Sequence, residues 1–169
     1  RDLGAKAVEQ RIRQTGGLGG SFIRTCKRRK RGSKIADSVG NELSGGAILM
    51  RTLILRRLLL RHVLGDDEQF VGLLVPPSVA GVLANVALTL ARRVPVNLNY
   101  TVSSAVMNDC IAQAGIKHVL TSRKFMEKAK LEVDAELVYL EDFRNEAKFG
   151  DKVSCGVASY LVPSGLLVR

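Results

Sequence analysis

Cysteine and histidine are scarce in this sequence, and neither occurs at the spacing of a metal site or a disulfide framework. The 169 residues include three cysteines, Cys26, Cys110 and Cys155, which form no Cys-x-x-Cys pair. An odd number of widely spaced cysteines indicates free thiols in a reducing compartment. The two histidines, His62 and His118, have no partner at the spacing of a metal site, which argues against a zinc site.

The motifs that mark common catalytic centres are also absent. The sequence has no GxxxxGK loop for nucleotide phosphates, no GxSxG nucleophile elbow and no HExxH helix. The glycine run Thr15–Gly20 is not GxGxxG and follows no strand, so it indicates a hinge or linker after a short polar helix at Arg1–Gln14. We therefore predict no catalytic, cofactor-binding or metal-binding residue in this chain.

Three polar features remain as weak candidates for a site. His118 precedes a short strand and is typical of an ordinary, partly buried histidine. The acidic loop Asp66–Glu68 precedes another strand, and we expect it to face solvent. Asn97 and Asn99 are the best polar candidates, because they alternate with apolar residues at the end of a strand, where open α/β sheets bind ligands.

Acidic residues are scarce in the first third of the chain, which therefore carries the whole excess of positive charge. Residues Arg1–His62 contain 15 Lys and Arg against 4 Asp and Glu, whereas Val63–Arg169 contain 11 against 12. The formal net charge of +10 is thus a property of one segment. Five consecutive cations form its sharpest feature, namely Lys27, Arg28, Arg29, Lys30 and Arg31.

This basic run has three interpretations. We favour a solvated surface turn between a short helix and a hairpin, and the alternatives are contact with an anionic membrane surface or with nucleic acid. Nucleic acid is the weakest of the three, because no aromatic side chain is interleaved with the cations to stack on bases.

The predicted helix Ile48–Leu64 offers a second route to a membrane. Its arginines and one histidine exclude a spanning helix, since a charge at the bilayer centre is costly. We favour a helix buried on one face with its arginines reaching solvent, and an interfacial membrane helix is the alternative. The residues expected on the buried side are Leu49, Leu53, Leu60 and Val63.

The clearest structural pattern lies in Gln69–Thr101. An apolar run at Phe70–Val75 is typical of a strand buried on both faces. A double proline ends it, and Pro77 suits the first turn of the apolar helix Ser78–Ala91. An alternating segment at Val94–Leu98 completes a βαβ unit, which requires parallel strands.

The remaining elements extend this unit into an α/β fold. The predicted architecture is a partial doubly wound, mainly parallel sheet flanked by helices, with a short β-hairpin near the N-terminus. The further predictions are a hairpin turn at Ser38–Gly40, a helix from Ser103 or Ser104 to Ala114 that ends at Gly115, strands Lys117–Leu120 and Leu137–Leu140, and helices Ser122–Lys130 and Lys148–Val168, the last broken at Pro163. The inward residues of the Ser104–Ala114 helix would be Val106, Met107, Cys110, Ile111 and Ala114.

Three segments resemble the first subdomain of adenylate-forming (AMP-binding) acyl ligases: VGLLVPPSVAGVLANVALTLARRVPVNLNYT, IAQAGIKHVLTSRKF and LVYLEDFR. The resemblance extends over about Phe22–Arg169, and it is strongest to the branch of acyl–acyl-carrier-protein synthetase and 2-acylglycerophosphoethanolamine acyltransferase. It implies a linker at 1–20 after a preceding acyltransferase domain, and a truncated N-terminal part of the ligase domain at 21–169. We therefore expect a fragment of a longer protein.

The resemblance also implies an activity for the parent protein. Such a ligase uses ATP and Mg²⁺ to activate a fatty acid as an acyl-adenylate, then transfers the acyl group to acyl carrier protein or coenzyme A, here in phospholipid acylation. Its phosphate loop, ending in Pro-Lys-Gly, and its catalytic lysine follow the region present here, so the fragment is expected to be inactive and to bind no ATP or Mg²⁺. We expect a cytoplasmic protein, peripheral to or tethered at the inner membrane.

A different class of function stays open beside the ligase. The chain can be a non-enzymatic α/β module that binds anionic membrane or nucleic acid through Lys27–Arg31.

One departure from the ligase pattern is also visible: Arg92 and Arg93 stand where these proteins usually have a glycine between helix and strand. A glycine relaxes a left-handed helix end, so Arg93 suggests a different or strained cap.

Overall fold

A parallel sheet with helices against it and a separate two-stranded hairpin make up the fold. The structure is a computed structural model that describes Lys6 and residues 17–146, 149–163 and 167. The predicted helix Arg1–Gln14 lies outside the described residues except for Lys6. The helices are α1 Gly17–Arg28, α2 Gly45–His62, α3 Val79–Leu90, α4 Ser104–Ala114, α5 Arg123–Ala129, α6 Leu140–Glu146 and α7 Phe149–Leu161. The strands are β1 Ser33–Ala36, β2 Glu42–Ser44, β3 Phe70–Leu73, β4 Val94–Asn97, β5 His118–Thr121 and β6 Glu136–Tyr139.

The predicted βαβ unit is present and organises the sheet. Strands β3 and β4 are parallel, with Phe70 opposite Val94 and Leu73 opposite Asn97, and α3 joins them. The sheet order is β4-β3-β5-β6, and every pair is parallel. The chain thus winds first to one side of β3 and then to the other, which confirms the partial doubly wound α/β fold. Strands β1 and β2 form the predicted antiparallel hairpin.

Helix α2 is a buried helix, but its buried side differs from the predicted one. Leu49 and Leu53 are buried as expected, whereas Leu60 is 40% exposed and Leu58 and Leu59 are buried instead. The helix packs against α1, α3 and α7. Because it meets neighbours in several directions, a single stripe of leucines did not identify its core face. No helix in the described part of the chain is long and apolar enough to cross a membrane.

Helix α4 confirms the predicted ends and corrects the predicted face. The Ser103 hydroxyl accepts a hydrogen bond from the backbone N–H of Val106 at 3.4 Å, and Gly115 ends the helix in the left-handed conformation. Met107 is buried, but Val106 is half exposed and Cys110 is exposed. The buried stripe is narrow because α4 covers the sheet from one side only.

Two elements differ from the predicted secondary structure. Gly17–Gly20 form the first turn of α1 and not a hinge, because Ile23 and Cys26 bury the helix against its neighbours and outweigh the low helix propensity of glycine. A domain boundary near residue 20 stays a prediction. The strand predicted at Leu137–Leu140 is β6, and it is followed directly by α6, a helix that was not predicted and that Phe143 anchors in the core.

All three cysteine thiols are free, as predicted. Cys110 is exposed on α4, whereas Cys26 and Cys155 are buried. Burial raises the pKa of Cys26 to about 11, which keeps this thiol protonated at neutral pH. Cys26 therefore acts as a small apolar side chain in the core.

The end of α3 is formed by an arginine in a conformation that favours glycine. Arg92 has φ of 60°, so the strained residue is Arg92 and not Arg93. The backbone N–H of Arg92 donates to the Thr89 carbonyl at 3.1 Å, and that of Arg93 donates to the Leu88 carbonyl at 2.9 Å. This pair of bonds is a Schellman motif, whose left-handed position is usually glycine. The Arg93 side chain donates to the Gly65 carbonyl at 2.9 Å.

We expect Arg92→Gly to raise the free energy of unfolding by about 0.5 to 1 kcal/mol, because a left-handed residue with a Cβ is strained. Urea denaturation of the purified chain would measure the change. Arg92→Ala is the matched control, because it removes the charge of Arg92 but keeps a Cβ. Burial lowers the pKa of Arg56 and the charge of Arg92 lowers it further, so removal of that charge alone could stabilise the fold. Equal gains from alanine and glycine would contradict the backbone explanation.

Candidate functional site

A groove of about 570 Å³ lies at the carboxyl ends of β3 and β4, where open α/β sheets bind ligands. The turn after β3 and the first half of α3 form one wall, and the segment after β4 forms the other. Apart from the ends of the two strands, the described lining residues of the first wall are Val75, Pro76, Pro77, Ser78, Gly81, Val82, Asn85 and Val86. Those of the second wall are Leu98, Asn99, Tyr100 and Thr101.

Three asparagines line this groove, two of which the sequence predicted. The Asn85 amide donates to the Asn97 side-chain oxygen at 2.9 Å, and Asn97 returns a longer bond at 3.5 Å. The Asn99 oxygen accepts from the backbone N–H and the hydroxyl of Thr101 at 3.0 and 2.8 Å. The structure therefore brings Asn97 and Asn99 together, with their amides bonded to the protein. Asn85 was missed, although a lone amide in an apolar helix is a signal that could have identified it.

Tyr100 forms an aromatic edge of the groove. The residue is 39% exposed, and its ring meets Phe125 edge-to-face, with ring centroids 5.3 Å apart. The described lining residues carry no charged side chain. The groove therefore suits a neutral or apolar group with a few hydrogen bonds, and it offers no cation to a phosphate.

The N-terminus of α3 faces the same edge, and a carboxylate already occupies it. The Ser78 hydroxyl accepts from the backbone N–H of Gly81 at 3.1 Å, and Asp37 of the hairpin accepts from that of Val79 at 3.2 Å. A free helix N-terminus attracts phosphate, but the Asp37 carboxylate would repel one. The residues present here therefore do not fit a nucleotide triphosphate.

The Asp37 carboxylate is held in its charged form by hydrogen bonds. The Asn41 amide donates to it at 3.0 and 3.2 Å and is the main cause of its lowered pKa. Backbone N–H groups of Asn41, Val79 and Val39 lower the pKa further. The hairpin thus presents a negative charge to the positive end of α3.

The acidic loop before β3 is not wholly exposed, which corrects the prediction for Asp66–Glu68. Glu68 has a side chain only 1% exposed, and both of its oxygens lie 2.9–3.0 Å from the Nδ1 atom of His118. The backbone N–H of His118 also donates to Glu68 at 3.2 Å, and its Nε2 lies 3.4 Å from Glu136. Because this cluster lies at the amino ends of the strands, opposite the groove, we interpret it as a structural hydrogen-bonded cluster.

The basic run confirms the predicted surface turn between a helix and a hairpin. Lys27 and Arg28 end α1, and Arg29–Arg31 form the turn that leads to β1. Together with Lys34 they line a concave surface of about 650 Å³, which we call the basic groove. Lys27 donates through its ammonium group to the carbonyl of Val162, at the end of α7. Among the described residues, no carboxylate lies within 4.0 Å of the guanidinium groups of Arg28, Arg29 or Arg31.

No protein-family model matches the chain, but solved structures share its fold. The α-methyl-L-serine-AMP form of the nonribosomal peptide synthetase FmoA3 is 13% identical, with a TM-score of 0.64 over 75% of this chain and 14% of that one. O-succinylbenzoate coenzyme A synthetase from Bacillus subtilis, in complex with AMP, is 16% identical, with a TM-score of 0.63 over 75% and 32%. The artificially fused adenylation–PCP di-domain NpsA–ThdA from Klebsiella oxytoca is 11% identical, with a TM-score of 0.63 over 77% and 24%.

These likenesses establish the fold. The chain has an α/β fold that also occurs in part of each of these three proteins. It spans less than a third of the length of each of these three structures.

We expect His118→Ala to lower the free energy of unfolding by about 3 kcal/mol, because it leaves the buried Glu68 carboxylate without its partner. Urea denaturation at neutral pH would measure the loss. The neighbouring Lys117–Asp67 pair, 2.8 Å apart and exposed, is a matched control, and Lys117→Ala should change stability little. Losses of equal size in both variants would refute a special role for the buried pair.

We expect stability to decrease as the pH falls below about 4, partly because of Asp37. Its pKa is lower in the folded chain than in the unfolded one, so the folded state binds fewer protons. The stabilisation is complete above the ordinary aspartate pKa and is lost as the pH falls through the lowered one. Denaturation curves at several acidic pH values should show a shallower decline for Asp37→Asn and for Asn41→Ala. Identical slopes in all three proteins would contradict the role of this carboxylate.

Proposed function

We propose that this chain is the N-terminal portion of an adenylate-forming acyl ligase. Two independent observations support the proposal: the fold is shared with AMP-bound synthetases, and three segments resemble acyl ligases in sequence. The observation that carries it is that one of those segments forms both walls of the groove. Pro76–Ser78 on one wall and Asn97–Thr101 on the other belong to the same βαβ unit.

The proposed parent reaction is the ATP-dependent activation of a fatty acid as an acyl-adenylate, followed by transfer of the acyl group to the thiol of acyl carrier protein or coenzyme A. A fatty acid is compatible with a groove whose described lining is largely apolar and uncharged. A carrier-protein partner is compatible with the similarity to an adenylation–PCP di-domain. We further propose a role in phospholipid acylation at the cytoplasmic membrane face, after a preceding acyltransferase domain, on the basis of the sequence resemblance.

The role of this chain in that reaction would be structural. It contributes the sheet edge and an uncharged groove wall, while Asp37 already caps the N-terminus of α3. Residues that hold the ATP phosphates and Mg²⁺ would therefore come from other parts of the parent protein. Preorganised donors at the developing phosphate charge usually supply a large share of catalysis, and the described residues that line the groove do not present a cation there.

The proposal is tested by comparing two lengths of the protein. We expect the purified 169-residue chain to form no hydroxamate from ATP, Mg²⁺, fatty acid and hydroxylamine. A longer protein that continues into a Ser/Thr/Gly-rich loop ending in Pro-Lys-Gly should form it, with fatty acids preferred over amino acids. ATP-dependent hydroxamate from the short chain, or no activity from the long one with any carboxylic acid, would overturn the proposal.

A second candidate function, binding of a polyanion without catalysis, is favoured by the basic groove. This surface is distant in sequence from the βαβ unit and shares no lining residue with the groove at the sheet edge. The two functions are compatible in one protein, and the basic groove is considered next.

A further inference from the structure

We propose that the basic groove binds the phosphate headgroups of an anionic lipid surface. Its described lining consists of six cationic side chains, five from the basic run and Lys34 from β1. The sequence alone indicated a linear run of cations, whereas the fold curves that run and adds a sixth from the hairpin. The proposal does not rest on ligase activity.

Three of the six cations in the basic groove have no acidic partner within the described chain. Arg28, Arg29 and Arg31 are exposed and lie more than 4.0 Å from any described carboxylate. Asp37, the nearest acidic residue along the sequence, already accepts hydrogen bonds from Asn41 and from the N-terminus of α3. The electrostatic field of these guanidinium groups therefore reaches solvent, where it attracts anions.

The backbone beneath these cations is held in place by the start of α2. The Gly46 N–H donates to the Lys30 carbonyl at 3.2 Å. A Cβ added at Gly45 would lie 2.3 Å from the Arg29 carbonyl oxygen, so only glycine permits this approach. Lys27, at the other end of the turn, is bonded to Val162 of the α7 terminus. The cations are thus displayed on a fixed turn, which lowers the entropy lost on binding.

A lipid surface fits this arrangement better than nucleic acid does. No aromatic side chain is among the described lining residues, so bases have nothing to stack on. The cations gather at one turn and do not follow a track along which a nucleic-acid backbone could run. Helix α2, the other membrane candidate, has Leu49, Leu53 and Leu59 buried in the core. The contact would therefore be electrostatic, without insertion of that helix.

This mechanism predicts a steep dependence on salt. A cation near an anionic leaflet changes membrane partitioning by about fivefold, so three of them together change it on the order of 100-fold. The Debye length decreases from about 10 Å at 0.1 M salt to about 3 Å at 1 M, which suppresses the attraction.

The test is co-sedimentation of the 169-residue chain with vesicles of phosphatidylcholine alone, or with about a third phosphatidylserine, at about 0.1 and 1 M salt. The test variant is Arg28→Gln/Arg29→Gln/Arg31→Gln, which leaves Lys27 and its bond to Val162 intact. The matched control is Lys124→Gln/Lys128→Gln/Lys130→Gln, which removes the same charge from exposed positions on and just after α5. Thermal unfolding of each variant verifies that it is folded.

We expect binding to the phosphatidylserine vesicles only at low salt, a loss on the order of 100-fold in the arginine variant, and little change in the control. Equal binding to neutral vesicles, binding that persists at high salt, or equal losses in both variants would overturn the proposal. Retention on duplex DNA without vesicle binding would instead assign the basic groove to nucleic acid. Because vesicle binding and hydroxamate formation are separate measurements, failure of one proposal leaves the other standing.

Discussion

Strand β3 must exclude water from both of its faces, and the rest of the fold follows from that requirement. Val71 and Leu73 face a core built by α2, α3 and α6, whereas Leu74 belongs to the core under α4. Gly72, between them, is so closely covered that an added Cβ would lie 2.8 Å from Val119 of β5. A strand enclosed in this way needs parallel neighbours and helical crossovers on both sides, which is the observed sheet order.

Because both faces of the sheet around β3 are covered, polar side chains can reach solvent only at its edges. Polar groups collect at the two edges of the sheet, and the two edges differ. The amino edge buries Glu68 against His118, whose ring and backbone nitrogens lie within hydrogen-bonding distance of its carboxylate. The carboxyl edge carries the neutral Asn85–Asn97 pair and a helix N-terminus that Asp37 already caps. The described residues of this edge therefore offer amide groups and apolar surface but no positive charge for a phosphate.

The sequence predicted those features that depend on neighbouring residues. The apolar run of β3, the proline after it and the serine caps act within a few positions, and the fold class followed from them. Glu68 and His118 are 50 residues apart, so nothing local indicated that an acidic loop would bury one of its carboxylates. The prediction that Leu60 is buried was wrong for a related reason, since the buried face of α2 depends on three other helices. Gly17–Gly20 became helical because packing of Ile23 outweighed propensity.

Positive charge and the groove at the sheet edge occupy different surfaces of this chain. The formal charge of +10 would suggest an anionic substrate if its cations lined the groove at the sheet edge. Six of these cations gather instead at the end of α1, in the turn after it and on the hairpin, while the described lining of the groove is uncharged. A field placed away from the groove brings the molecule to a surface without altering what the groove selects. In the two proposals made above, the positive charge therefore governs attachment to a lipid surface, and the uncharged groove governs the choice of substrate.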